Sequence, residues 1–224
     1  MKKLLLSSFL LCSTSSLAAT SATVTVVSDY LFNGVSQTQE DPALQASFDW
    51  AGDTGFYAGV WGSNVDFGEG TDIEADGYLG YFTSLNDSIN LDVGIAQYTY
   101  HGEDFSSDYN YAEAYAKFNY GNTNLNFWHA WDYFGTGAGH SIVMITHNFP
   151  INDAFSIDIG ADYSLSHDDD KWQWEADDDN YIHWRVGANY TINGWNLSAS
   201  YEDTDLDTYG DSTILLSVSR TFNF

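Results

Sequence analysis

In the stretch INLDVGIAQY, Ile89, Leu91, Val93 and Ile95 fall on one side and Asn90, Asp92, Gly94 and Ala96 on the other. Successive side chains of a strand point to opposite faces, so period-two alternation marks a strand with one apolar and one polar surface. The pattern returns in FSIDIGADYSLS, where Phe155, Ile157, Ile159, Ala161, Tyr163 and Leu165 alternate with Ser156, Asp158, Gly160, Asp162 and Ser164. It returns again where Trp195, Leu197, Ala199 and Tyr201 alternate with Asn196, Ser198 and Ser200. No stretch carries a helical repeat. About twelve such segments can be placed, near 22–33, 43–51, 56–65, 73–82, 89–100, 111–120, 125–133, 140–149, 155–166, 181–190, 195–202 and 213–224. Most have the roughly nine to eleven residues that a tilted membrane strand needs.

The connectors alternate in kind. GDTG, TSLNDS, GNTN, PINDA and TING are short turns of Gly, Asn, Asp, Ser and Pro. Between them lie DFGEGTD, HGEDFSSDYN, HDDDKWQWEADDDN and DTDLDTYGDS, which are longer and acidic, with the milder SQTQED and FGTGAG. A soluble sandwich has no reason to keep every short turn at one end, whereas an outer-membrane barrel has short periplasmic turns and longer outer loops. The fold class expected is therefore all-β, a transmembrane antiparallel up-and-down β-barrel of about twelve strands.

Lys2 and Lys3, the apolar run Leu4 to Leu11 and small residues ending near Ala18 or Ala19 read as a secretory signal peptide, leaving residues 19–224 as the barrel domain. Leu11 stands before Cys12, where lipoprotein signals carry a small residue, so a lipid anchor is disfavoured. Cys12 is the only cysteine, and its removal leaves neither a disulfide nor a thiolate metal site. The remaining basic residues are Lys117, Lys171, Arg185 and Arg220, against 32 acids. A field this acidic repels nucleic-acid phosphates, so no nucleic acid is expected as a partner.

Tyr30, Phe32, Trp50, Tyr81, Tyr120, Tyr133, Phe149, Trp184, Tyr190, Trp195, Tyr201 and Phe222 sit near strand ends, where interfacial girdles belong. The final segment, with Ile214, Leu216, Val218, Phe222 and Phe224 in one register, suits a strand offered to the barrel-insertion machinery through Phe224. Arg220 breaks that register two residues before Phe222, close enough to the end to snorkel to the interface.

The polar register should line the interior, which places Asp29, Asp92, Glu113, Lys117, Asp158, Asp162, His183 and Arg185 there as pore-lining candidates, with Asp49 and Glu202. Symmetric closure of the loop at 167–180 sets Asp162 opposite Arg185, His183 beside Ser164 and Asn189 beside Asp158. Symmetric closure at 101–110 pairs Tyr98 with Glu113 and Gly94 with Lys117, Asp92 lying diagonal to that lysine. Such clusters either set a transverse field in a selective channel or pair with one another to plug the interior. An open path would favour neutral or cationic small solutes over anionic sugars.

The runs Asp168 to Asp170 and Asp177 to Asp179, with Asp203, Asp205 and Asp207, suit a solvated outer face, or divalent cations bridging to lipopolysaccharide. None fits a twelve-residue calcium loop. Trp172 and Trp174 between acid runs could stack on a sugar or pack the loop down. Hydrolysis needs a nucleophile with a base in reach, and no histidine is followed two residues later by serine. The chain is expected not to be an enzyme, with no catalytic, cofactor or metal residues assigned. Facing of 125–133 and 140–149 is ambiguous: sending Phe127, Trp131, Val143 and Ile145 to lipid also sends His129, and a bulge is one way out.

Ser28-Asp29-Tyr30-Leu31-Phe32, Gly34-Val35-Ser36-Gln37-Thr38, Pro42 and Gly55-Phe56-Tyr57-Ala58-Gly59, followed by Trp61 and Ser63-Asn64-Val65, resemble the opening of the TorF-type porins, a proteobacterial outer-membrane family. The resemblance covers the first three strands. Asn33 replaces the arginine usual in that family. It implies a pore-like barrel in the outer membrane of a Gram-negative bacterium, in contact with lipid and lipopolysaccharide. It implies neither a transported molecule nor a residue of proven role.

Overall fold

The computed structural model describes residues 19–208 and 210–224. The signal-peptide reading of 1–18, with Cys12, lies outside them. Twelve strands close into an antiparallel barrel: β1 (Ala19–Val27), β4 (Ala43–Ala51), β5 (Phe56–Asn64), β6 (Thr71–Ser84), β7 (Ile89–Gly102), β8 (Tyr111–Tyr120), β9 (Thr123–Ala130), β10 (His140–Pro150), β11 (Phe155–Ser166), β12 (Asn180–Ile192), β13 (Trp195–Thr204) and β14 (Thr213–Asn223). A two-stranded hairpin, β2 (Leu31–Phe32) and β3 (Val35–Ser36), stands apart in the first long loop. Each barrel strand pairs with its neighbours in sequence, and β1 pairs with both β4 and β14, so no edge remains. Closure lets every strand satisfy its backbone within the sheet, as a hydrocarbon surround requires.

The parity of the connectors holds. Turns at 52–55, 85–88, 121–122, 151–154 and 193–194 share one end, and the loops at 28–42, 65–70, 103–110, 131–139, 167–179 and 205–212 share the other. Asn193 and Gly194 both have positive φ, 51° and 78°, the geometry of the tight hairpin turn that Asn-Gly favours. The apolar register faces outward: Val60, Leu79, Ile95, Ile145, Val186 and Leu216 all stand exposed on the outer wall. Trp50, Tyr81, Tyr120, Phe149, Tyr190, Trp195 and Phe222 form the short-turn girdle, and Trp184 and Tyr201 stand exposed toward the long loops. Arg220 remains in the outward register, its guanidinium 5.2 Å from the Trp195 and Phe222 rings. The Phe224 backbone N–H donates to Thr20 O at 2.9 Å beside the β1–β14 seam.

Three girdle assignments fail. The first strand stops at Val27 rather than near residue 33, and β9 stops at Ala130 rather than 133. Tyr30, Phe32 and Tyr133 therefore belong to loops that fold inward. Tyr30 meets Trp61 edge-on at 5.4 Å, and Tyr133 is 3% exposed. The facing of β9 and β10 is settled without a bulge, their register running unbroken from His140↔Ala130 to His147↔Thr123. His129 does face outward, but one residue from the strand end, where Ser141 Oγ lies 2.9 Å from its Nδ1. The irregularity falls instead in β6, where the register shifts between Thr71 and Ile73.

Candidate functional site

Inward side chains of β6 to β10 and β12 bound a cavity of about 510 Å³ in the barrel interior. Its charged lining is Asp92, Glu113, Lys117 and Arg185. Phe32 and Asn33 of the first loop bound it on one side, and Asn119 and Gly121 carry it to the short-turn end. Asparagine and threonine side chains, among them Asn124, Asn126 and Thr146, complete a surface able to hydrogen-bond a polar solute.

Each charged residue has a distinct setting. Asp92 and Lys117 are directly opposite on β7 and β8, yet no carboxylate lies within 4.0 Å of the ammonium among the described residues. The ammonium stands 4.4 Å from the Tyr115 centroid and 5.8 Å from that of Trp128, a cation–π setting. Asp92 instead accepts a hydrogen bond from the Tyr57 hydroxyl, and Tyr57 and Tyr115 hydroxyls lie 2.6 Å apart. Tyr78 donates to Asp49 in the same way. Arg185 lies opposite Gly160, whose missing Cβ leaves room for it: a methyl group there would meet Arg185 Nε at 3.2 Å.

The expected cross-strand partners are off by two residues. Asp162 faces His183 rather than Arg185, Ser164 faces Tyr181, and Asp158 faces Gly187. Likewise Glu113 faces Ala96 rather than Tyr98. The long loops do not close symmetrically, because neighbouring strands reach different heights in a tilted barrel. A slip of two preserves facing, so every candidate on these strands remains inward while its partners change. His183 is buried between two carboxylates, Nδ1 at 2.7 Å from Asp162 and Nε2 at 3.2 Å from Glu202. Both carboxylates accept, so each ring nitrogen is the donor. Asn189 still donates to Asp158, diagonally. Asp29 does not line the cavity: it accepts from Ser36 Oγ at 2.7 Å and Thr38 Oγ1 at 2.9 Å, tying the first loop to itself.

An aromatic cluster spans the long-loop end. Tyr100 of β7, Tyr111 of β8 and Tyr181 of β12 join Tyr133, Trp174 and Leu206 in one buried group. Ring contacts connect Tyr100 to Phe134 at 5.1 Å, Phe134 to Tyr133 at 4.8 Å, Tyr133 to Trp174 at 5.8 Å and Trp174 to Tyr181 at 4.6 Å. Since β7 and β12 lie five places apart in a ring of twelve strands, the cluster crosses the mouth. Trp172 and Trp174 thus pack the loop down. The Tyr181 hydroxyl donates to Asn33 O at 3.0 Å, anchoring the β2–β3 hairpin beneath it.

Two groupings escaped the sequence reading. Glu74 and Asp76 lie inward on β6, as the alternation of Ile73 and Ala75 with Glu74 and Asp76 could have shown. Ser141 Oγ lies 2.9 Å from His129 Nδ1 and 2.8 Å from His167 Nε2, a contact that joins β9, β10 and the start of the loop after β11 and that no local motif reveals. Among the described residues neither imidazole hydrogen-bonds a carboxylate that would orient it as a base. In the loops, Asp168, Asp169 and Asp170 place one carboxylate oxygen each within 4.8 Å of one another, and Lys171 pairs with Asp168 at 2.6 Å. That ion pair raises the Lys171 pKa.

The sequence matches the family described as "Bacterial protein of unknown function (Gcw_chp)" over residues 12–222. The chain belongs to that family. Among curated proteins none matches. Solved structures share the fold at low identity. The KdgM porin is 9% identical, with 92% of this chain and 99% of that one covered and a TM-score of 0.58. The NanC porin is 11% identical, with 90% and 98% covered and a TM-score of 0.59. The COG4313 outer membrane channel from Pseudomonas putida F1 is 13% identical, with 94% and 97% covered and a TM-score of 0.53. They support the closed transmembrane barrel architecture; the TorF-type resemblance stays a resemblance.

Proposed function

We propose that this member of the Gcw_chp family is an outer-membrane channel of a Gram-negative bacterium, passing small neutral or cationic polar solutes. The observation that carries this reading is the polar cavity inside a barrel whose outer wall is apolar. A structural neighbour is described in complex with disordered oligogalacturonate, an acidic sugar chain. Here the interior sets Asp49, Glu74, Asp76, Asp92, Glu113, Asp158, Asp162 and Glu202 against Lys117, Arg185 and the doubly donating His183, an acidic balance that disfavours an anionic solute. In this conformation the aromatic cluster covers the long-loop mouth, so conduction on this reading requires those loops to part.

Refolded mature protein in a planar bilayer under a salt gradient tests the proposal. Steady conductance steps with a cation-selective reversal potential are expected; a folded but silent barrel, or anion selectivity, overturns it. The aromatic cluster favours a second reading, a closed structural barrel whose acidic outer loops bind divalent cations or lipopolysaccharide. A silent barrel whose surface binds calcium through Asp168 to Asp170 would support that alternative.

A further inference from the structure

We propose that the cavity in the barrel interior is a binding site for a neutral saccharide, with Trp128 as the surface on which a sugar ring stacks and Asn90, Asn119, Asn124 and Asn126 as partners of its hydroxyls. The inference deepens the channel reading, on which it rests, by naming the class of solute that pauses in the lumen.

The strand register gathers these side chains. Asn90 of β7 lies opposite Asn119 of β8, and Asn119 opposite Asn124 of β9, so three amides form one row across neighbouring strands. Thr146 of β10 faces Asn124 and extends the row. Two residues further toward the long loops Asn126 faces Lys117, and two beyond that Trp128 faces Tyr115. Steps of two keep one facing, and the four asparagines and Trp128 all border the cavity of about 510 Å³. Small-molecule sites have volumes of roughly 300–1,000 Å³.

The uncharged groups are the uncommitted ones. Asn124 donates to Thr146 Oγ1 at 3.2 Å, and Asn90 Oδ1 accepts from Ser84 Oγ at 2.7 Å. Among the described residues the side chains of Asn119, Asn126 and Trp128 make no hydrogen bond. The charged groups are engaged. Asp92 accepts from Tyr57, Glu113 accepts from Tyr98 at 2.8 Å, and Lys117 lies 4.4 Å from the Tyr115 centroid. Arg185 faces Glu202 across the ladder, within electrostatic range of it.

This combination selects one ligand chemistry. A side-chain amide presents a donor and an acceptor side by side, matching hydroxyls that both give and take. An indole offers an apolar face to the C–H face of a sugar ring, with an N–H at its edge. An apolar solute would strand the amides, and a small ion would leave Trp128 unused; a neutral saccharide satisfies both.

Isothermal titration of the full refolded barrel, in a detergent without a sugar headgroup, tests the site with maltose, cellobiose, lactose and sucrose. At least one should bind saturably, with digalacturonate at least tenfold weaker. Trp128→Ala should weaken that binding at least tenfold, and so should Asn119→Ala combined with Asn126→Ala. Trp184→Phe, on the outer wall, should leave it unchanged. Folding is confirmed by the heat-dependent gel shift of barrels, and if Trp128→Ala does not fold the paired asparagine variant decides. No saturable binding by any of the four sugars, equal binding of digalacturonate, or binding indifferent to the cavity substitutions overturns the site. Conductance recorded with the same sugars separates this inference from the channel reading. Steps that no sugar interrupts, with no binding heat, leave the channel and remove the site; a silent barrel that still binds keeps the site and removes passage through it.

Discussion

Lys117 and Arg185 border one cavity without an ion pair inside 4.0 Å among the described residues, so each contributes its charge to whatever passes. Arg185→Ala should raise the cation-over-anion permeability ratio roughly twofold or more, because the lumen is too narrow for salt to screen a unit charge fully. Lys117→Ala should act in the same direction. A conducting barrel whose reversal potential ignores both would place the ion path elsewhere. Ser141 makes the opposite kind of prediction. A hydroxyl between His129 and His167 is within reach of a base, but neither ring is oriented by a hydrogen-bonded carboxylate among the described residues. Refolded protein given a fluorogenic phospholipid should show no turnover above empty vesicles, and turnover lost in Ser141→Ala would make the outer wall an active site.

At the level of strands and loops, facing was legible in the sequence and register was not. Period two alone sends Asp92, Glu113, Lys117 and Arg185 inward, and an even slip cannot reverse it. What pairs across the ladder depends on how each long loop closes, which the sequence of HDDDKWQWEADDDN does not state. Asp162 accordingly meets His183, and Asp29 serves its own loop. The inward fold of the first loop rests on Gly34 at φ 85°, where a Cβ would meet Thr204 Cγ2 at 2.5 Å and His183 Cδ2 at 2.7 Å. Gly34→Val should therefore lift the β2–β3 hairpin from the mouth, and bilayer recordings should show longer or larger openings than the parent barrel. Glu175 joins two other loops, its carboxylate accepting from the backbone N–H of Asp207, at 3.0 Å, and of Thr208. Those bonds lower the Glu175 pKa below its ordinary 4.5. A depressed carboxylate stabilises the folded loops fully above its unfolded value and loses that contribution as pH falls through the folded one. The tether should thus be intact at neutral pH and weaken only below about pH 4.5. Amide protection at Asp207 and Thr208, taken relative to the intrinsic exchange rate at each pH, should fall in that window, and Glu175→Gln should remove the pH dependence of that protection.

For the whole molecule, one physical asymmetry decides whether the barrel reading is right: its outside is apolar and its inside is polar. In water this arrangement would be inverted, since Val60, Leu79, Ile145 and Leu216 stand exposed while Glu74, Glu113 and His183 are buried. In a bilayer both surfaces are matched, the apolar wall to hydrocarbon and the acids to lumen or ligand. Val60 lies at the centre of the nine-residue strand β5 and is 58% exposed, so an arginine there would sit near the bilayer midplane. Val60→Arg should cost about 2–4 kcal/mol when unfolding is titrated with denaturant in lipid vesicles. Ser198→Arg, on the inward face of β13, exchanges one hydrogen bond with Ser217 for a charge that lumen water can solvate, and should cost about 1 kcal/mol. The difference between the two is the informative quantity, because both variants add the same side chain to the same sheet. Equal costs would mean that the apolar wall does not face lipid, and the transmembrane reading would fall with it.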